Sequence, residues 1–142
     1  MSRSTHTGSC LCGGVTFRID AALQPIQICH CSKCRKAQGT PFVTNTPVNT
    51  ADFVLLSGAE LLKEFESSPG KQRVFCSGCG SPIYSKNVLV ANVLRIRAGL
   101  IDETVTAELA AHFHVASQCS WWPITDDLPQ FPHAFLPQGQ AK

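Results

Sequence analysis

Seven of the eight cysteines in this chain fall into three tight clusters, and their spacing constrains the fold more than any other feature. Cys10 and Cys12 form CxC, Cys29, Cys31 and Cys34 form CxCxxC, and Cys76 and Cys79 form CxxC; Cys119 stands alone. Cysteines two or three positions apart rarely meet the separation and direction that a disulfide requires without strain. Disulfides would therefore have to join different clusters, whereas thiolates gathered around a metal ion need this close spacing. A secreted disulfide framework and a redox CxxC are the competing readings. The first lacks support from the segment Met1 to Gly14, which has no apolar stretch of the signal-peptide kind. The second lacks the βαβ pattern expected around Cys76 and Cys79. Zinc binding is the reading that remains.

The clusters divide by ligand count. Cys76-Ser77-Gly78-Cys79-Gly80 has the form of a zinc knuckle, with glycine permitting the tight turn. Cys10 and Cys12, two apart on an extended segment, project to one face while Leu11 points away. Together these four sulfurs make a closed tetrahedral set, structural in role, that ties the start of the chain to its middle. Cys29, Cys31 and Cys34 have no second cluster to complete them. Three protein ligands with one open position is the arrangement of catalytic zinc. Cys119 could fold back and close that shell; packing as a small apolar side chain is the other reading. His30 lies between two ligands and is expected to face away from them. Two zinc ions and seven thiolates would move the formal net charge from +2 to about −1. Lys33, Arg35 and Lys36 beside the triple could offset that charge or hold an anionic substrate, or form a solvated basic turn.

The rest of the chain reads as mainly β, one domain over residues 1–142 with a core of about 6–131. Val15, Phe17 and Ile19 alternate with polar neighbours, as a half-buried strand requires. Extended pieces are expected over Leu61 to Phe65, Arg73 to Cys76, Pro82 to Tyr84 and Leu94 to Ala98. A further strand would put His112 and His114 on one face and Phe113 and Val115 on the other. A short helix is expected from Ser32, acting as its cap, through Lys36, and an irregular tail from Pro129 to Lys142. A charged fraction of 15% with a net charge of +2 gives no field for nucleic acid or an anionic membrane surface. No apolar run approaches the roughly 20 residues of a membrane span, so the expected compartment is the cytoplasm.

Gly8-Ser9-Cys10-Leu11-Cys12-Gly13, Cys29-His30-Cys31-Ser32-Lys33-Cys34-Arg35-Lys36 and Phe75-Cys76-Ser77-Gly78-Cys79-Gly80-Ser81 resemble the glutathione-dependent formaldehyde-activating enzyme (GFA, CENP-V-like) family. The similarity continues through Ala98 to Asp102, His112 to Val115, Trp121-Trp122 and Asp126 to Pro129. It implies an Mss4-like, β-tent zinc-binding fold with two zinc ions. Structural ligands would be Cys10, Cys12, Cys76 and Cys79, and catalytic ligands Cys29, Cys31 and Cys34. It also implies a carbon-sulfur lyase that condenses formaldehyde with glutathione to S-hydroxymethylglutathione. Two other readings stay open beside it, a non-catalytic zinc-binding interaction module and a thiol or redox sensor. Arg73, Lys86, Arg95 and Arg97 could meet the carboxylates of glutathione, although arginines and lysines at a surface are usually only solvated. Trp121 and Trp122 are expected to cover the core or wall a pocket, and His112 and His114 to pack in their strand or act as acid-base groups.

Overall fold

The computed structural model describes residues 4–134, so the last part of the expected irregular tail, 135–142, lies outside the described residues. The chain is mainly β, as expected. A three-stranded antiparallel sheet has the order β1 (His6–Ser9), β2 (Thr16–Ile19), β5 (Phe53–Ser57). A seven-stranded sheet contains β3 (Ile26–Cys29), β4 (Val43–Asn49), β6 (Leu62–Ser68), β7 (Lys71–Cys76), β8 (Pro82–Asn87), β9 (Val90–Arg97) and β10 (Leu109–Phe113). Its order is β10-β3-β4-β9-β8-β7-β6, and only the β10–β3 pair is parallel.

The core lies where β2 meets the larger sheet. Val15, Phe17 and Ile19 supply the buried phase of the alternation, and Val48, Ile83, Leu94 and Ile96 face them. Burial of each such side chain contributes roughly 1.5–3 kcal/mol. Two glycines allow close approach within the three-stranded sheet. Gly8 lies against the Phe17 ring, 2.2 Å from where a Cβ would stand, and Gly58 (φ +90°) holds a left-handed turn with its Cβ position 2.4 Å from the Gly14 carbonyl oxygen. Gly58→Ala is therefore expected to cost about 3 kcal/mol, from backbone strain and overpacking together. A denaturant midpoint measures it, and a loss below about 1 kcal/mol would mean that this turn is free to move.

Helix α1 (Ser32–Gln38) follows β3 directly and ends at Gly39, whose left-handed conformation (φ +67°) lets its N–H donate to the Arg35 carbonyl at 2.7 Å. The residue at the N-cap is Cys31, not Ser32, and it makes no side-chain capping bond. Extended backbone at Cys31 turns the chain from strand to helix inside the CxCxxC cluster. The expected strand face holding both His112 and His114 is not formed: β10 ends at Phe113, and His114 takes a left-handed conformation (φ +58°) that opens a short 3-10 turn. Among the described residues no helix is long and apolar enough to cross a membrane.

Candidate metal centres

Two turns face each other to form the first cysteine group. Cys10 to Val15 is a tight turn joining β1 to β2, held by Cys10 N–H donating to the Val15 carbonyl (3.0 Å) and Gly13 N–H to the Cys10 carbonyl (3.0 Å). Cys10 and Cys12 therefore converge through a turn, where an extended segment was expected; Leu11 does point away, 85% exposed. Cys76 to Ser81 closes β7 onto β8 in the same manner, with Gly80 N–H donating to the Cys76 carbonyl at 2.7 Å. The sulfurs of Cys10, Cys12, Cys76 and Cys79 lie within 4.8 Å of one another.

The donor set fits zinc. A zinc–sulfur distance of about 2.3 Å in a tetrahedron places sulfurs about 3.8 Å apart; Cys10 to Cys12 is 3.6 Å and Cys12 to Cys76 is 3.9 Å. Backbone amides favour the thiolate forms, with Val15 N–H donating to Cys10 Sγ (3.3 Å) and Gly14 N–H to Cys12 Sγ (3.4 Å). The Ser81 hydroxyl beside Cys79 and neighbouring amides lower that thiol to about 5.

The second group is built by the β3–α1 junction. Cys29 ends β3, Cys31 caps α1 and Cys34 lies in its first turn, buried. Their sulfurs also lie within 4.8 Å of one another, with Cys29 to Cys34 at 3.3 Å. Three thiols this close compete for charge. Cys31 is held well below the ordinary thiol range by hydrogen bonds from Cys29 and Cys34, while Cys29 is pushed far up by Cys31 and Cys34. The group could hold a metal as a three-sulfur set. Cys119 is buried but joins neither sulfur group.

His30 turns away from the sulfurs, as the alternation requires, and enters an aligned chain that the sequence did not disclose. His30 Nε2 pairs with His112 Nδ1 at 2.8 Å, and His112 Nε2 pairs with both Asp126 oxygens at 3.0 and 3.1 Å. With the carboxylate accepting from His112 Nε2–H, His112 Nδ1 is left to accept from His30 Nε2–H, so one ionised group sets both ring tautomers. The Leu128 N–H fixes Asp126 by donating to Oδ1 at 3.0 Å. Asp126 is held below the usual carboxylate range by His112 first and then by Leu128; burial lowers His30, helped by His112 and Arg35. The 82-residue gap between His30 and His112 left no local signal for this pairing.

Charge around the three sulfurs comes from another direction than expected. Lys33 and Lys36 are exposed on the helix. Lys71, Arg73, Arg95 and Arg97 on β7 and β9 act on the same sulfurs: Arg73 Nη2 donates to Cys34 Sγ at 3.6 Å, and Cys29 and Cys34 favour the charged forms of Arg95 and Arg97. Arg97, only 6% exposed, is not the solvated surface arginine that its residue type suggests; burial lowers it to about 10. Lys86 instead pairs with Glu64 at 3.0 Å. Trp121 is 67% exposed and Trp122 48%, so neither is part of the core. Trp122 packs edge-on to Phe42, which in turn packs on His30.

Known proteins resemble this chain in sequence and in fold. The family profile described as "Glutathione-dependent formaldehyde-activating enzyme" matches residues 5–117. A Schizosaccharomyces pombe protein named as an uncharacterized lyase is 27% identical over 79 residues, which is 56% of this chain and 56% of that protein. A crystal structure of a Rhodobacter sphaeroides protein shares the fold with a TM-score of 0.60 at 19% identity, covering 70% of this chain and 91% of the other.

Proposed function

The chain belongs to the glutathione-dependent formaldehyde-activating enzyme family, and from that premise we propose that it is a zinc-dependent carbon-sulfur lyase acting on a small thiol adduct. Formation of S-hydroxymethylglutathione from glutathione and formaldehyde is the reaction proposed. The observation that carries this reading is the contrast between the two sulfur groups, one with four donors and one with three. Four sulfurs complete a tetrahedron and three leave a position open. Cys10, Cys12, Cys76 and Cys79 are assigned to structural zinc, and Cys29, Cys31 and Cys34 to catalytic zinc. When bound by these three residues, zinc would supply a Lewis acid that lowers the pKa of a thiol and makes it nucleophilic at neutral pH.

The remaining work falls to the chain's own residues. The Arg73 guanidinium holds Cys34 in place, and β3 and α1 present the other two sulfurs from rigid backbone. The His30–His112–Asp126 chain fixes the residue between Cys29 and Cys31, so it positions the two sulfurs on either side. In the forward reaction the thiolate sulfur forms a bond to the formaldehyde carbon. The carbonyl π pair moves to oxygen, which takes a proton and becomes the hydroxyl. Small thiols are the proposed partners, and neither nucleic acid nor membrane has a role.

The test is the rate of S-hydroxymethylglutathione formation, followed by NMR exchange of the methylene signal and corrected for the uncatalysed reaction. The zinc-loaded protein is expected to add a rate proportional to its concentration. No added rate with glutathione or with other thiol-aldehyde pairs would move the three-cysteine group to the sensor reading. His112→Phe provides a second check. It keeps an aromatic ring at that position but strands the buried His30 N–H, at an expected cost of about 1–3 kcal/mol in urea unfolding. It should also speed release of one zinc per chain to a chelator, leaving the other unaffected. Unchanged release of both would remove His30 and His112 from any positioning role.

A further inference from the structure

The face of the large sheet that carries Cys29 carries a row of cations. Cross-strand partners share a face, and so do residues two apart on one strand. The register pairs Gln27 with Asn45 and Asn45 with Arg97, and it aligns Arg95, Ser85 and Arg73 across three strands. Cys29 is two residues from Gln27, Arg95 two from Arg97, and Lys71 two from Arg73. One face therefore presents Cys29, Arg97, Arg95, Arg73 and Lys71. Burial lowers Lys71, and Arg95, Arg73 and Arg97 as repelling neighbours lower it further.

Four cations here exceed what the sulfurs need. Three thiolates and one Zn2+ carry −1, so the four leave a surplus of about +3. Among the described residues none of them makes an ion pair with a carboxylate. Apart from the Arg73 Nη2 bond to Cys34 Sγ at 3.6 Å, their hydrogen bonds are few and go to neutral acceptors. Arg73 Nε donates to Ser67 Oγ at 2.9 Å, and Arg97 Nη1 donates to the Arg95 carbonyl at 3.1 Å and to Ser85 Oγ at 3.5 Å. The buried Arg73 Nη1 and Arg97 Nε have no partner, nor does the buried Asn45 Oδ1 beside Arg97. A buried charge without a counter-charge is costly. A guanidinium matches a carboxylate or a similar oxyanion better than any other group.

We propose that Lys71, Arg73, Arg95 and Arg97 form a binding site for one anionic group of the substrate, a carboxylate carried alongside its thiol. The thiol half rests on the function proposed above; the anion half stands on the row of cations alone. The site selects anionic thiols over neutral ones of the same size, because the sulfur and the carboxylate are held by adjacent parts of one sheet face. Asn45 Oδ1 gives it an acceptor as well, suited to an N–H next to the carboxylate.

The test uses zinc-loaded protein and two kinds of probe. In calorimetric titration, inorganic sulfate is expected to bind with one-to-one stoichiometry, at least tenfold more weakly to Arg73→Gln and Arg95→Gln and unchanged for Lys86→Gln. Arg95→Lys, which keeps the charge, should recover part of the loss. 3-Mercaptopropionate is expected to bind at least tenfold more tightly than 3-mercaptopropionamide, and Arg95→Gln should abolish that preference. Saturable sulfate binding without binding of either thiol would keep the anion site and overturn the thiol-lyase reading. Equal affinity for acid and amide together with no saturable sulfate binding would leave that reading intact and overturn this inference. Sulfate binding weakened as much by Lys86→Gln as by Arg95→Gln would also overturn it.

Discussion

Cys76→Ser is expected to yield a chain that does not hold its fold at 37 °C. Cys76 is fully buried, belongs to the main core and offers one of the four sulfurs that join the β1–β2 turn to the β7–β8 turn. These two turns belong to different sheets, so the sulfur group is a staple between layers. Structural zinc contributes roughly 10–16 kcal/mol of apparent binding free energy in small zinc domains, and a domain of ordinary size is stable by only about 5–15 kcal/mol. Losing half of the metal's contribution is therefore comparable with the whole. The serine itself removes little volume, so packing loss cannot account for such an effect. Circular dichroism melting checks the outcome. A variant that melts within about 5 °C of the wild type would show that the hydrophobic layers hold without the staple.

The second large effect separates chemistry from folding. Cys31→Ser is expected to reduce thiol-aldehyde condensation at least 100-fold, toward the uncatalysed rate, while the fold stays intact. Cys31 caps α1 without making a side-chain capping bond, and serine is a preferred residue at that position. The substitution therefore removes a sulfur without undermining the helix start, and the unfolding midpoint separates loss of chemistry from loss of structure. A stability change below about 1 kcal/mol with activity lost is the result expected. Retention of more than a tenth of the activity would mean that the reaction does not depend on the three-sulfur group.

Much of this architecture was legible because local signals survive in it. The cysteine spacings depend on turns only five or six residues long, and β2 and the Leu94 to Arg97 half of β9 alternate clearly between apolar and polar residues. Other strands carry no such signal. β4 contains Pro47 in its interior, which normally argues against a central strand; β5 reads as a continuous apolar run, and β1 is four residues of small or polar character. Their extended form is fixed by partners far away in sequence. The same reason hid the surroundings of the three sulfurs. Arg95 and Arg97 were visible as the polar phase of a strand, yet their place beside the three sulfurs depends on β9 pairing with β4, some fifty residues earlier. The link from Asp126 through His112 to His30 depends on a parallel pairing between β10 and β3.

The most direct test of the account is zinc per chain by elemental analysis, on wild type and Cys31→Ser purified without chelator. The prediction is about two zinc ions in the wild type and about one in the variant, as one closed site and one open site require. One zinc in both, unchanged after added zinc and removal of excess, would contradict the catalytic assignment of Cys29, Cys31 and Cys34.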